Sequence, residues 1–323
     1  LQPRGYYMMP SDHIYTAPKE WWLPYTDPSF MCSAYDNMHA SWSSTHEETW
    51  DVVKHNDFVG GQFIWTGFDY IGEPTPYAYP ARSSYFGIID LAGLPKDSYY
   101  MYQSEWTSKD VLHLFPHWNW LPGQTIDMWC YYNHADEVEL FVNGKSQGVR
   151  KKTVYGAKNE GEAFQKSTEY HVMWRVNFEP GEVKVVARKD GKQVAEQTIR
   201  TAGAPHHLVL KKTYQGNLAF GASEPTTFVE GNVVDKDGNL CPNASNQIFF
   251  SVEGKKDGME TSKGFDNKAE IKILGTDNGC QTSLERFTDP HRKAFFGKCV
   301  VVLKGKGTLK AEAVDLKDAT LSL

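Results

Sequence analysis

From residue 125 onward the chain is cut into short β-type runs by turn dipeptides, and this punctuation restricts its fold more than any other feature. Residues 125–131 alternate loosely between apolar and polar, residues 137–142 follow, and Asn143-Gly144 comes next. Asn-Gly tolerates positive φ at both central positions of a type I′ turn, so a two-residue hairpin is expected there. Residues 171–176 and 183–187 are joined across Glu179-Pro180-Gly181-Glu182, and Asp190-Gly191 marks the next turn. Short strands at this spacing, with Trp174 among them, predict a β-sandwich. Beyond the linker-like Ala202-Gly203-Ala204-Pro205 the style repeats. Runs at 207–210, 227–229, 233–234, 248–252, 299–303 and 309–313 read as strands. Asp237-Gly238-Asn239 and Asp277-Asn278-Gly279 read as turns. A second sandwich is expected, with no residue-level repeat relating it to the first.

The segment before these strands is of another kind. Eight of the ten Trp lie before residue 121, and residues 1–110 carry 14 Asp and Glu against 6 Lys and Arg. Residues 1–45 have no steady period and hold Pro3, Pro10, Pro18, Pro24 and Pro28, so a long irregular stretch is expected. Ser44 or Thr45 can cap a helix that runs to about Asn56, with Glu47 and Glu48 suited to its N-terminal end. Residues 58–65 (Phe-Val-Gly-Gly-Gln-Phe-Ile-Trp) then read as a buried parallel strand. A second helix is expected from about Lys96 to Trp106. Helix, strand, long loop and helix make one unit of a β/α architecture. A (β/α)8 barrel takes about 250 residues, so this segment cannot close one alone.

The remaining composition narrows the classes of function. The chain has 323 residues and a net charge of −6, with no basic stripe, which argues against nucleic acid. No apolar run reaches the length of a membrane span, so no membrane insertion is expected. The five cysteines, Cys32, Cys130, Cys241, Cys280 and Cys299, contain no C-x-x-C. They predict mostly free, buried thiols, with Cys280–Cys299 the one pair whose strands could be neighbours. The chain opens on Leu1 with neither a charged n-region nor an apolar h-region, and is read as a piece of something longer.

Chemistry concentrates between Gly60 and Asp90. Trp65 ends the apolar run, with Asp69, Tyr70 and Glu73 just beyond it and Arg82 further on. In a β/α barrel the loops after strand C-termini build the active site. A Trp there offers a flat apolar face to a pyranose ring, and carboxylates and Arg can hold its hydroxyls. The residues alone equally allow Trp65 as core and Asp69 as a loop cap.

Residues 1–108 resemble the C-terminal end of the catalytic barrel of a family 2 glycoside hydrolase, in the β-galactosidase group common in gut Bacteroidetes. The motifs are Leu1-Gln2-Pro3-Arg4-Gly5-Tyr6-Tyr7, Cys32-Ser33-Ala34-Tyr35-Asp36-Asn37, residues 60–74, residues 82–97 and Gln103-Ser104-Glu105-Trp106. His113-Leu114-Phe115-Pro116-His117-Trp118-Asn119-Trp120 is similar to the entry to the family's first accessory sandwich, and residues 204–323 look like its terminal immunoglobulin-like domain. The resemblance implies α/β plus all-β: the C-terminal remnant of a (β/α)8 TIM barrel at 1–108, then immunoglobulin-like β-sandwiches at 109–203 and 204–323. It also implies a retaining exo-β-glycosidase, a β-galactosidase, whose paired Glu residues lie upstream of Leu1. No catalytic residue is therefore carried over, and this chain alone is expected to be inactive. By the same resemblance Trp65 would floor a sugar subsite, with Asp69, Glu73 and Arg82 at the pocket rim. No cofactor or metal is implied. The partners implied are a β-galactoside-containing oligosaccharide and the rest of the barrel, or a second copy of the chain. The implied location is periplasmic or extracellular.

Other constellations rank lower. Pro116 makes a shared helical face for His113 and His117 improbable as metal ligation. His206-His207 reads as a solvated pair, and Arg150-Lys151-Lys152 as a solvated turn. Asp235-Lys236-Asp237-Gly238-Asn239 lacks the spacing of a calcium loop and reads as a β-turn. Asn243-Ala244-Ser245 fits a glycosylation acceptor that matters little in a bacterium. Trp118 and Trp120, if exposed, would favour a stand-alone carbohydrate-binding module; a purely structural sandwich pair is the third reading.

Overall fold

A computed structural model of the chain describes residues 30–37, 39, 43–74, 77–154, 167–217, 225–253 and 271–323. The Leu1–Tyr7 motif and most of the proline-rich stretch lie outside the described residues. The chain divides into two units, Leu1–Thr201 and Ala202–Leu323.

The first unit carries helices α1 (His46–Lys54) and α2 (Asp97–Trp106) and strands β1 (Leu112–Phe115), β2 (Thr125–Tyr132), β3 (Glu137–Val142), β4 (Lys145–Arg150), β5 (His171–Asn177), β6 (Glu182–Lys189) and β7 (Lys192–Arg200). Antiparallel sheets of order β1-β2-β5 and β4-β3-β6-β7 face each other as a sandwich. Ile126, Met128, Cys130 and Tyr132 from β2 meet Val138, Leu140, Val142, Val183 and Val185 in the core between them. Each of the Val, Leu, Ile and Met side chains among these contributes about 1.5–3 kcal/mol on burial. Trp174 is fully buried there, and its indole N–H donates to the Gly148 carbonyl at 2.8 Å. Asn143 and Gly144 both take positive φ, 48° and 78°, as the expected hairpin turn requires.

The loose alternation of β2 has a physical cause. The strand is buried on both faces. Its even-numbered residues fill the sandwich, and Asp127, Trp129 and Tyr131 are buried on the other side. On that outer side the Tyr35 ring lies against Phe115 and Trp129, and its hydroxyl donates to the Asp127 carbonyl at 2.7 Å. His171 stacks on Trp129 at 3.7 Å and meets Glu47 of α1 at 2.6 Å. Arg175 holds the buried Asp127 carboxylate with two bonds of 2.8 and 2.9 Å. Helix α1 starts as its sequence predicts, with a Thr45–Glu48 capping box.

The expected strand at 58–65 is not formed. An interior parallel strand needs a hydrogen-bonded neighbour on each side, and the described residues supply none for it. Residues 59–64 run as irregular chain, with Phe58 and Trp65 exposed at 86% and 73%.

The second unit is a sandwich of β8 (His207–Gly216), β9 (Thr226–Val234), β10 (Gln247–Glu253), β11 (Ile271–Asp277), β12 (His291–Lys293), β13 (Lys298–Gly305), β14 (Thr308–Glu312) and β15 (Ala319–Ser322). Its antiparallel sheets run β12-β10-β14-β15 and β11-β13-β9-β8. Val229, Val233, Ile248, Val301, Leu303 and Leu309 fill the core. Arg292 is fully buried and donates to the carbonyls of Thr276 (2.7 Å), Arg286 (2.9 Å) and Glu285 (3.3 Å), fastening the long β11–β12 loop. None of the five cysteines is in a disulfide, so Cys280 and Cys299 are not bridged.

The α1 junction titrates. The Asp36 carboxylate accepts the His46 and Glu47 backbone N–H groups at 2.9 and 2.7 Å. Burial and the neighbouring Glu47 push its carboxyl up to about 7. Burial pushes the His46 imidazole down to about 4. Asp36 thus holds an extra proton in the folded state between its unfolded value of about 4 and about 7, and stability falls as pH rises through that window. His46 lacks a proton in the folded state between about 4 and 6.5, and there stability rises with pH. The two effects oppose each other. In urea unfolding across this range, wild type should lose stability relative to D36N as pH rises, and gain stability relative to H46Q. Parallel profiles for all three proteins would contradict this account of the junction.

Candidate functional site

The loop that follows Trp65 is built on one buried ion pair. Lys96, the N-cap of α2, reaches back to Asp69 at 2.8 Å, and both side chains are fully buried. The Gly87 N–H donates to the same carboxylate oxygen at 2.8 Å, and Lys96 also donates to the Tyr85 carbonyl at 3.1 Å. Burial pushes the Asp69 carboxyl up, against the pull of the Lys96 ammonium. Backbone bonds then zip residues 66–69 to 86–89: Thr66 N–H to Phe86 O, Ile88 N–H to Thr66 O, Ile89 N–H to Gly67 O and Asp69 N–H to Ile89 O. The two segments run so close at Gly87 that a Cβ there would collide with Asp69 N and Phe68 C. Only glycine fits this approach.

This frame presents Trp65 and Glu73 to solvent. The Trp65 indole N–H donates to the Tyr70 hydroxyl at 3.2 Å, and that hydroxyl donates to Glu73 Oε2 at 2.7 Å. The Trp65 and Tyr70 rings meet edge to face at 6.4 Å. Tyr70 is pinned in turn, its N–H donating to Ser84 Oγ and its carbonyl accepting the Ser84 N–H. Half-buried Arg82 lies across the loop, its carbonyl accepting the Gly72 N–H at 3.1 Å. Among the four expected site residues, Trp65 and Glu73 are joined through Tyr70, Arg82 sits on the adjoining segment, and Asp69 points inward to Lys96. Tyr70, Gly87 and Lys96 were not singled out as site residues from the sequence. Lys96 carried a legible signal, since a lysine at a helix N-terminus opposes the helix dipole and calls for a partner. Phe58, Phe63, Phe68, Ile71 and Tyr79 are all more than half exposed around this loop. Exposed apolar groups of this extent are typical of interaction or ligand-binding surfaces.

Several expectations need correction. Trp118 is fully buried, with its indole N–H donating to the Glu179 carbonyl, so it offers no sugar platform. Trp120 packs against the sandwich core and stacks on His117. The expectation that His113 and His117 do not pair as ligands stands, since His113 pairs with Asp97 at 2.8 Å. Lys152 is not a solvated turn residue; it lies over the Tyr132 ring and 3.6 Å from Glu105. The 235–239 segment is a turn, as expected, with Asp235 accepting the N–H groups of Asp237, Asn239 and Gly203. Against a burial effect that raises it, these bonds hold the Asp235 carboxyl at about 2.

Breaking a buried pair from one side leaves an uncompensated charge, at a cost of about 3–5 kcal/mol. D69N and K96M should each lose stability on that scale in urea unfolding. The double variant should cost less than their sum, because the interaction is already gone in either single variant. Strict additivity would refute the pair as the support of this loop.

Residues 123–195 match a family described as "Domain of unknown function (DUF4982)", and residues 221–322 match "Glycoside hydrolase family 2 C-terminal domain 5". The chain is 53% identical over its whole length to the β-galactosidase BoGH2A of Bacteroides ovatus, of which it covers 35%. It is 29% identical to a β-glucuronidase of Formosa agariphila, with 52% of this chain and 16% of that protein matched. The crystal structure of a β-glycosidase from Bacteroides vulgatus superposes with a TM-score of 0.75 at 33% identity, over 91% of this chain and 34% of that one. The chain spans about a third of the length of BoGH2A and of that β-glycosidase. It belongs to glycoside hydrolase family 2, and its strand-rich fold matches that family's C-terminal β domains.

Proposed function

We infer that this chain is the C-terminal part of a retaining exo-β-glycosidase that removes terminal β-D-galactosyl groups. Residues 1–108 end its (β/α)8 barrel, and 109–203 and 204–323 are two immunoglobulin-like sandwiches. The observation that carries the reading is the exposed Trp65, braced by Tyr70 and Glu73, in a chain 53% identical to a β-galactosidase. Trp65 floors the sugar subsite. Glu73 and Arg82 take hydroxyls at its rim. Asp69 acts one step back, holding the loop on Lys96.

Retention needs two carboxyl groups about 5–5.5 Å apart, one as nucleophile and one as acid/base. Near Trp65 the chain offers Asp69, bound to Lys96, and Glu73, bound to Tyr70. Neither is assigned to that chemistry; the catalytic Glu pair is assigned to the polypeptide preceding Leu1. The same preceding segment is the body that covers Phe58, Phe63 and Phe68, since the missing barrel strands would pair along residues 58–65. The substrate is a β-galactoside-containing oligosaccharide, and the enzyme works in the periplasm or outside the cell.

The test is an assay with a chromogenic β-galactoside. The 323-residue chain alone should show no turnover, and the coding sequence extended upstream should restore it with retention. In the extended protein, W65A forfeits the burial of an aromatic face, roughly 1.5–3 kcal/mol, and should lower kcat/KM by about ten- to a hundredfold. Turnover by the chain alone, or an unchanged kcat/KM in W65A, would refute the assignment.

A further inference from the structure

We propose that Asp51, His55 and Glu169 form a site for a divalent transition-metal ion of the zinc class, which clamps α1 to the segment leading into β5. Asp51 and His55 are four residues apart on α1 and so share a face. Glu169 approaches that face from just before β5. His55 Nε2 lies 2.9 Å from Glu169 Oε2 and 3.8 Å from Asp51 Oδ1, and all three donor atoms lie within 4.8 Å of one another. Ligands about 2.0–2.2 Å from a tetrahedral zinc ion are about 3.3–3.6 Å apart. The observed separations bracket that value, so small side-chain rotations would seat the ion.

The two carboxylates are already oriented by groups outside the triad. The Tyr170 hydroxyl donates to Asp51 Oδ1 at 2.8 Å. Lys54 pairs with Glu169 Oε1 at 2.6 Å, the oxygen that does not face His55. Outer partners of this kind fix ligand direction in metal sites. Lys54 is shared between Glu169 and Glu105, at 2.6 and 2.9 Å, so its single charge does not neutralise the two carboxylates of the triad, and negative charge remains there to attract a cation. The imidazole selects zinc or nickel over calcium and magnesium, and two carboxylates supply too few oxygens for calcium. All three residues are partly exposed, which leaves room for water as the fourth ligand. The proposal does not depend on the hydrolytic reading.

The test is calorimetric titration of the 323-residue chain with ZnCl2, with CaCl2 and MgCl2 as comparison arms. One zinc per chain should bind with micromolar affinity, and neither of the other ions should saturate the site. H55Q and E169Q should abolish this binding, and Y170F should weaken it about 10–100-fold. The His206–His207 pair, with its Nδ1 atoms 3.0 Å apart, is the rival site, so H207Q should leave the titration unchanged. X-ray absorption of the zinc-loaded wild type gives a reading that needs no variant to fold. One imidazole with oxygen ligands supports the triad, and two imidazoles overturn it. Absence of saturable zinc binding, or full binding in H55Q and E169Q, overturns it as well.

Discussion

The double-sided burial of β2 is the constraint on which the first unit depends. A strand in a free-standing sandwich shows one face to water and alternates accordingly. This strand is buried almost throughout: Met128 and Cys130 lie in the sandwich core, and Asp127, Trp129 and Tyr131 lie under Tyr35 and the helical segment. The outer face is also polar. Asp127, His171 and Glu47 would each carry a desolvation cost there without a partner. Arg175 takes Asp127, while Glu47 and His171 take each other. Sandwich and helices therefore complete one another, and separating them would expose both apolar surface and desolvated charge.

The same logic governs the loop around Trp65. Its exposed residues are the ones the proposed function places at the sugar, and its buried residues hold the frame. Lys96–Asp69 fixes one end of the loop to α2, and Gly87 lets the return segment run alongside. Tyr70 then transmits that order to the indole and to Glu73. A binding face gains affinity when its supporting residues are already locked in place. The exposed aromatic and the buried ion pair are two ends of one arrangement.

Much of this was legible in the sequence, and the misses have physical causes. Turn chemistry marked the hairpins at Asn143-Gly144 and Asp190-Gly191, where both residues take positive φ. Capping chemistry marked α1 to within two residues at its C-terminal end. Residues 58–65 misled because an apolar run becomes a buried strand only where neighbouring strands pair with it, and the described residues hold no such neighbours. Trp118 misled because the number of tryptophans says nothing about which face each occupies. The ion pair of Asp69 with Lys96 spans 27 residues, and the proposed triad spans more than a hundred. Local pattern carries no information on such long-range meetings, although a lysine at a helix start was a clue to the first.

If sandwich and helical segment are one cooperative body, their amides must open together. Native-state hydrogen exchange along a shallow denaturant series measures this directly. The account predicts that the most protected amides of α1 (His46–Lys54) and of β2 (Thr125–Tyr132) converge on the same opening free energy, with the same denaturant dependence. Exchange of α1 through a separate opening of low energy, while β2 stays protected, would contradict it.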